Sequence, residues 1–287
     1  MKNFLLTLVM AALAVGGASA QKSSTKTKVA DPQAAYADSL NTAALDAFNM
    51  GEYKEAIKIG TEAVAAAKKA YGIGGNDYAV ALNNLSLYYS EVGDYTNAII
   101  YGNDALEIKK ELVGEDDPNI APFLSNMATC YYGLKDYQKA VDYETLAATV
   151  LENQVGGMAL DFEISVTKLA LYYSKLGNYE KAVYYGSIAA ERRKKTQGKN
   201  NLGYAKSLNS LATYYNLAKD YKNAVETGEK ALKIFKKDEG ELSANYIRAL
   251  GNQAVYYHNA GEVDKANEIA DKVKELKAKA AEFIPKE

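Results

Sequence analysis

One spacing dominates this chain. A tyrosine recurs at Tyr53, Tyr95, Tyr137, Tyr179 and Tyr221, every 42 residues, and one more step reaches Val263. Three residues further on stand Ala56, Ala98, Ala140, Ala182, Ala224 and Ala266. A second tyrosine column is Tyr89, Tyr131, Tyr173, Tyr215 and Tyr257. A leucine column is Leu40, Leu82, Leu124, Val166, Leu208 and Leu250, and a glycine column is Gly72, Gly114, Gly156, Gly198 and Gly240. No column slips. A fixed period of this size marks supersecondary units that cannot bury their apolar faces alone and must stack. The columns predict six units: residues 34–72, 76–114, 118–156, 160–198, 202–240 and 244–283.

Each unit reads as two helices. In the second, Val80, Leu82, Leu85 and Tyr89 have helical spacing and precede a turn at Gly93-Asp94. The next helix runs from about Tyr95 towards Val113. The column Asp94, Asp136, Asn178, Asp220 supplies side chains that can cap its first N–H groups. The glycine column offers a left-handed C-cap. Asp31-Pro32 and Asp117-Pro118 place proline at a first helical position. Small residues line the first helix at Ala44, Ser86, Ala128, Ala170, Ala212 and Ala254. The second helix adds Ala63, Ala105, Ala147, Ala189 and Ala231. Such columns let helices approach closely, with leucine and tyrosine filling between them. Four prolines in 287 residues suit a helical chain.

The pattern Leu82, Leu85, Ser86, Tyr89, Gly93, Tyr95, Ala98, Ala105 resembles the tetratricopeptide repeat signature. The common unit has about 34 residues, and the longer one here is similar to the repeat of kinesin light chains. Leu82-Asn83-Asn84-Leu85-Ser86 is similar to that family's leucine-asparagine-asparagine-leucine-alanine motif. The resemblance covers about Ala34 to Phe283. It implies an all-α fold, a right-handed α-solenoid of six helix-turn-helix units, and a role in binding other proteins. HEAT and armadillo repeats have comparable periods but lack the glycine–acid–tyrosine turn.

The N-terminus reads as an export signal, residues 1–20. Lys2 precedes a short apolar run from Phe4 to Val15, and Ala18-Ser19-Ala20 has the small-x-small form of a cleavage site. Cleavage after Ala20 would deliver the chain to the periplasm or outside the cell, with a flexible leader over residues 21–33. The run is short for a membrane span, so no membrane insertion is expected after cleavage. The formal net charge of −2 argues against a nucleic-acid surface. With one cysteine, Cys130, and one histidine, His258, the chain has neither an internal disulfide nor the usual zinc framework. No metal or cofactor is expected.

In the resembling fold the first helix of each pair lines the concave side. That register predicts a polar partner-binding groove of Asn41, Asn83, Asn84, Asn126, Lys168, Lys206, Asn209, Arg248 and Asn252. Asparagine both donates and accepts, which suits the backbone of an extended protein or peptide segment. One tetratricopeptide subfamily clamps a partner's C-terminal carboxylate with lysine, asparagine and arginine. This chain departs from that pattern, since its first repeats carry no cation at the matching positions. No catalytic residues are assigned. Asp38 and Glu91 are the only acidic groove candidates, they lie on different repeats, and no nucleophile–base pair is evident. Gly72-Ile73-Gly74-Gly75 follows a helix and lacks the Lys-Ser/Thr ending of a phosphate loop. The tyrosine columns read as packing positions, with Tyr184, off those columns, left open as a contact residue. Residues 263–283 form a charge-rich last helix that suits the end of an array. The expected function is a non-catalytic scaffold or adaptor. The alternative is a periplasmic ligand- or peptide-sensing regulatory module acting with a membrane partner.

Overall fold

The computed structural model describes residues 31–152 and 160–282. The candidate export segment, most of the leader and Gly156 lie outside them. Twelve α-helices fall among the described residues: α1 (Pro32–Asn49), α2 (Tyr53–Tyr71), α3 (Asn76–Glu91), α4 (Tyr95–Val113), α5 (Ala121–Gly133), α6 (Tyr137–Glu152), α7 (Leu160–Leu176), α8 (Tyr179–Gln197), α9 (Leu202–Leu217), α10 (Tyr221–Glu239), α11 (Ala244–Asn259) and α12 (Val263–Glu282). The architecture is an all-α solenoid. The chain clusters into two compact units, residues 1–165 and 166–287, that divide within α7.

In the first unit, neighbouring helices from α1 to α6 pack in chain order, and α1 also meets α3, and α3 meets α5. In the second, α8 to α12 pack in order and α9 meets α11. Helices α3, α5, α9 and α11 therefore each serve their own pair and the pair before it. That double duty explains why these helices carry apolar residues on more than one face.

The turn inside each pair is the same object six times. The N–H of Asp94 bonds back to Tyr89 O at 3.0 Å, and that of Gly93 to Ser90 O at 3.1 Å. Equivalent bonds to Ala47, Tyr131, Tyr173, Tyr215 and Tyr257 recur at 42-residue steps. This is a Schellman ending, in which one residue must take positive φ. Glycine holds that position at Gly51, Gly93, Gly177 and Gly261, whereas Lys135 and Lys219 adopt φ of 64° and 63°. The next helix then starts on its cap: Asp94, Asp136, Asn178 and Asp220 accept from the N–H groups of Asn97, Lys139, Lys181 and Asn223.

The ends of the even-numbered helices differ from the expected left-handed cap. Gly72, Gly114, Gly198 and Gly240 have φ between 77° and 90°, but ψ between 159° and 171°. That extended, positive-φ region is open essentially to glycine alone. The chain leaves the helix nearly straight rather than curling over its end, and a few residues separate each of these glycines from the next α-helix. Pro118 also departs from expectation: it opens a 3₁₀ turn, Pro118–Ile120, and α5 begins only at Ala121.

The alanine columns are the core. Ala44, Ala56, Ala98, Ala105, Ala128, Ala140, Ala147, Ala182, Ala212, Ala224 and Ala231 are all fully buried. Cys130 is buried too, at the column position of Tyr88, Tyr214 and Tyr256. A further small column sits in the even-numbered helices at Gly60, Gly102, Gly186 and Gly228. A methyl group added to Gly60 would stand 3.1 Å from Tyr88, and one on Gly186 would stand 2.9 Å from Tyr214. Glycine costs about 1 kcal/mol against alanine in a helix interior. At Gly60 and Gly186 that cost is offset by seating a tyrosine ring directly on the helix backbone, while Gly102 makes room for Met127 and Ser86 and Gly228 for Gln253.

Candidate functional site

The candidate wall is built on the odd-numbered helices, which the turns and caps hold in register. In the first unit its asparagines pair. Asn84 Nδ2 donates to Asn41 Oδ1 at 3.0 Å, and Asn126 Nδ2 donates to Asn83 Oδ1 at 3.0 Å. In the second unit Asn252 donates to Asn209 at 3.5 Å, and Asn259 to Asn216 at 2.9 Å. Every rung joins residues 43 apart, one more than the repeat. The step Asn83-Asn84 serves two rungs: Asn84 reaches back to Asn41 of the preceding unit, and Asn83 accepts from Asn126 of the following one. The motif is thus a lateral brace as well as a polar surface.

Exposure divides the predicted residues. Asn41, Asn83, Asn84, Lys206, Asn209 and Asn252 are half-buried and Arg248 is exposed. Asn126 and Lys168 are buried, each only 4 % exposed. Asn126 therefore takes part through its rung, and its Oδ1 is buried with no hydrogen-bond partner among the described residues. Arg248 Nη2 donates to Asn245 Oδ1 at 2.8 Å, which holds the guanidinium along α11. Asp38 is exposed and accepts from the Tyr71 hydroxyl at 2.7 Å. Burial and this carboxylate push the Tyr71 hydroxyl up to about 12.

A rung spends one of two amide N–H donors on one asparagine and one carbonyl lone pair on the other. The half-buried amides keep the rest of their capacity towards solvent.

Three polar positions fell outside the sequence reading of the core. Glu144 is fully buried at the position held by glycine in four other units, and Ser125 Oγ donates to both its carboxylate oxygens at 3.0 Å. Glu163 is buried in a column otherwise made of Ala37, Ala79, Ala121, Ala205 and Ile247. Lys168 is buried at the position of Asn84 and Asn126. The column breaks themselves were the available signal, since a charge in a column of small neutral residues is conspicuous. Glu91 is half-buried, and burial raises its carboxyl above the ordinary range.

The tyrosine columns also carry order beyond packing. Tyr89 stacks on Tyr101, Tyr131 on Tyr143 and Tyr173 on Tyr185, with ring centroids 5.4–5.6 Å apart and planes within 13°. Lys139 and Lys181 each lie 4.9 Å from the ring centroids of Tyr131 and Tyr173. Tyr184 is exposed and meets the edge of Tyr185. Among the described residues no group of three or more His, Cys, Asp or Glu side chains is placed to hold a metal ion. None of their helices is long and apolar enough to cross a membrane.

Comparison with known proteins agrees with this geometry. The family model described as a tetratricopeptide repeat matches residues 36–111 and 162–237, more than half of the chain. No curated protein matches. Among solved structures the chain is similar to BtubC (BKLC) from P. vanneervenii, at 22% identity and a TM-score of 0.67, covering 82% of this chain and 94% of that one. It is also similar to a Podosopora anserina putative kinesin light chain with nearly identical TPR-like repeats, at 19% identity and a TM-score of 0.64, covering 70% and 95%. A third is PH0952 from Pyrococcus horikoshii, a STAND protein with a tetratricopeptide repeat sensor, at 19% identity and a TM-score of 0.66, covering 81% of this chain and 34% of that one. At such identities the likeness is one of fold. The matched residues 36–111 and 162–237, together with the six repeated Schellman turns and alanine columns, place this chain in the tetratricopeptide repeat family.

Proposed function

We propose that this chain is a non-catalytic scaffold or adaptor that holds an extended segment of a partner protein along the asparagine wall of its odd-numbered helices. The observation that carries the reading is the rung pattern, Asn84 to Asn41, Asn126 to Asn83 and Asn252 to Asn209. It lines up amides whose remaining donors and acceptors match those of a peptide backbone. Lys206 and Arg248 add positive charge in the second unit, which favours acidic side chains on the segment held there. The protein acts outside the cytoplasm, after removal of residues 1–20.

Removing both members of a rung leaves no orphaned partner, so it changes the wall with little effect on stability. The mature chain, residues 21–287, and its Asn41→Ala/Asn84→Ala variant are immobilised and offered extracts of the native compartment with cross-linking. A partner captured by the parent and lost from a variant that melts at the same temperature supports the groove. Equal capture by both sinks it. Mass spectrometry of the native chain tests export: an N-terminus at Gln21 is expected, and an intact Met1 terminus overturns that part.

A further inference from the structure

We infer that the groove at the C-terminal end of the second unit is a seat for helix α1 of a second copy of this chain. The groove lies between α11 and α12 and encloses about 540 Å³. Its floor is Leu242, Ile247, Val273 and Ala280, with Arg248 and Lys277 on its lining and no acid among the residues that line it. This reading goes beyond the one above, because the occupant is another copy and the site is the end of the stack.

The chain itself shows what such a seat receives. One pair earlier, Ala249 of α11 joins the apolar cluster of Ala205, Leu208, Ala231, Ile234 and Phe235 from α9 and α10. Advancing that seat by 42 gives Ile247, Leu250, Val273, Leu276 and Lys277. Four of the five positions stay apolar: Ile247, Leu250 and Leu276 are buried in the chain's own cluster, and Val273, half-buried, lines the groove beside them.

The matching helix face is α1. Its Tyr36 stands in the column of Ile120 and Phe162, which are buried, and of Tyr78, Tyr204 and Tyr246, which are half-buried, yet Tyr36 is 57% exposed. An exposed tyrosine in a column built for packing is a contact without its partner. Charge agrees. The charged residues of α1 are Asp38 and Asp46, with no lysine or arginine, against the cations of the groove. Seating α1 on the groove joins two different surfaces, so the association is head-to-tail and continues into open chains.

The register is testable, because Ser39 of α1 stands where Ala249 stands in α11, and Lys277 stands where Phe235 stands in α10. Both are exposed, and the native Cys130 is buried. The chain of residues 21–287 carrying Ser39→Cys and Lys277→Cys is oxidised mildly and resolved without reductant, alongside sedimentation of the unmodified chain over a range of concentrations. The expected result is a ladder of linked dimers, trimers and longer chains. Each single variant should give nothing beyond a dimer, and Tyr36→Asp should reduce linking by about tenfold, or ~1.4 kcal/mol. A chain that stays monomeric and unlinked overturns the proposal, as does linking insensitive to Tyr36→Asp. So does a Lys277→Cys thiol that becomes reactive only when residues 283–287 are deleted, since the chain's own tail then fills the groove. These residues are not those altered in the capture experiment, so the two readings fail separately.

Discussion

Asn126 reaches back 43 residues to donate to Asn83 Oδ1 at 3.0 Å, and does so from a position only 4 % exposed. The rung therefore joins a buried amide to a half-buried one in the neighbouring repeat, and its two ends are not equivalent when removed. Asn83→Ala strands a buried amide and should cost about 1–3 kcal/mol. Asn83→Ala/Asn126→Ala removes donor and acceptor together and should cost less than the sum of the single variants. Urea melts of the four proteins form a double-mutant cycle. Additive losses would mean that the rung contributes nothing.

Gly186 is predicted to be intolerant of side chains. Its added methyl group would lie 2.9 Å from Tyr214 Cδ2 and 3.4 Å from Leu211 Cδ1. Both neighbours are core residues of α9, so neither can move freely. Gly186→Val should lower stability by about 2 kcal/mol or more through overpacking. The same change at Gly251, where nothing lies within 4 Å, should be far milder. Comparable losses at the two sites would refute the close approach.

Lys135 holds a left-handed conformation that glycine adopts at four equivalent turns. A residue with a Cβ pays about 1 kcal/mol there. Lys135→Gly should therefore stabilise the protein by ~0.5–1 kcal/mol, with Lys219→Gly behaving alike. Thermal denaturation reads this directly, and an unchanged or lowered midpoint would show that the lysine side chains compensate for the strain.

Glu91 makes stability depend on pH in a known direction. Burial raises its carboxyl above its ordinary value, and Oε1 has no partner among the described residues. Between the unfolded and folded values the native chain binds more protons, so stability falls as pH rises through that window and stays lower above it. Glu91→Gln should raise the melting temperature at pH 7 and lose that advantage near pH ~3.5, where the native glutamate is protonated in both states. An equal gain at both pH values would point to packing instead.

Ala140 is fully buried in the column that meets the neighbouring helix. Ala140→Phe should cost about 1–3 kcal/mol or more by overpacking, seen as a lower melting midpoint. An unchanged midpoint would contradict the register on which the columns rest.

Much of this protein was legible because its chemistry is local and repeated. The caps at Asp94, Asp136, Asn178 and Asp220 act within one helical turn, and the alanine columns meet the same neighbour in every unit. Positions 42 apart see the same environment, so a column of identical residues announces its burial. What only the tertiary structure decided lies between positions that are not equivalent. Tyr88 rests on Gly60, 28 residues back, and Asn84 bonds Asn41, 43 residues back. Neither offset equals the period, so no column displays it. Stacking one pair on the next shifts the facing residues by an amount that side-chain reach and helix crossing set, not chain spacing. That shift turns asparagines that read as an open wall into partners of one another, with only their remaining hydrogen-bonding capacity facing outward.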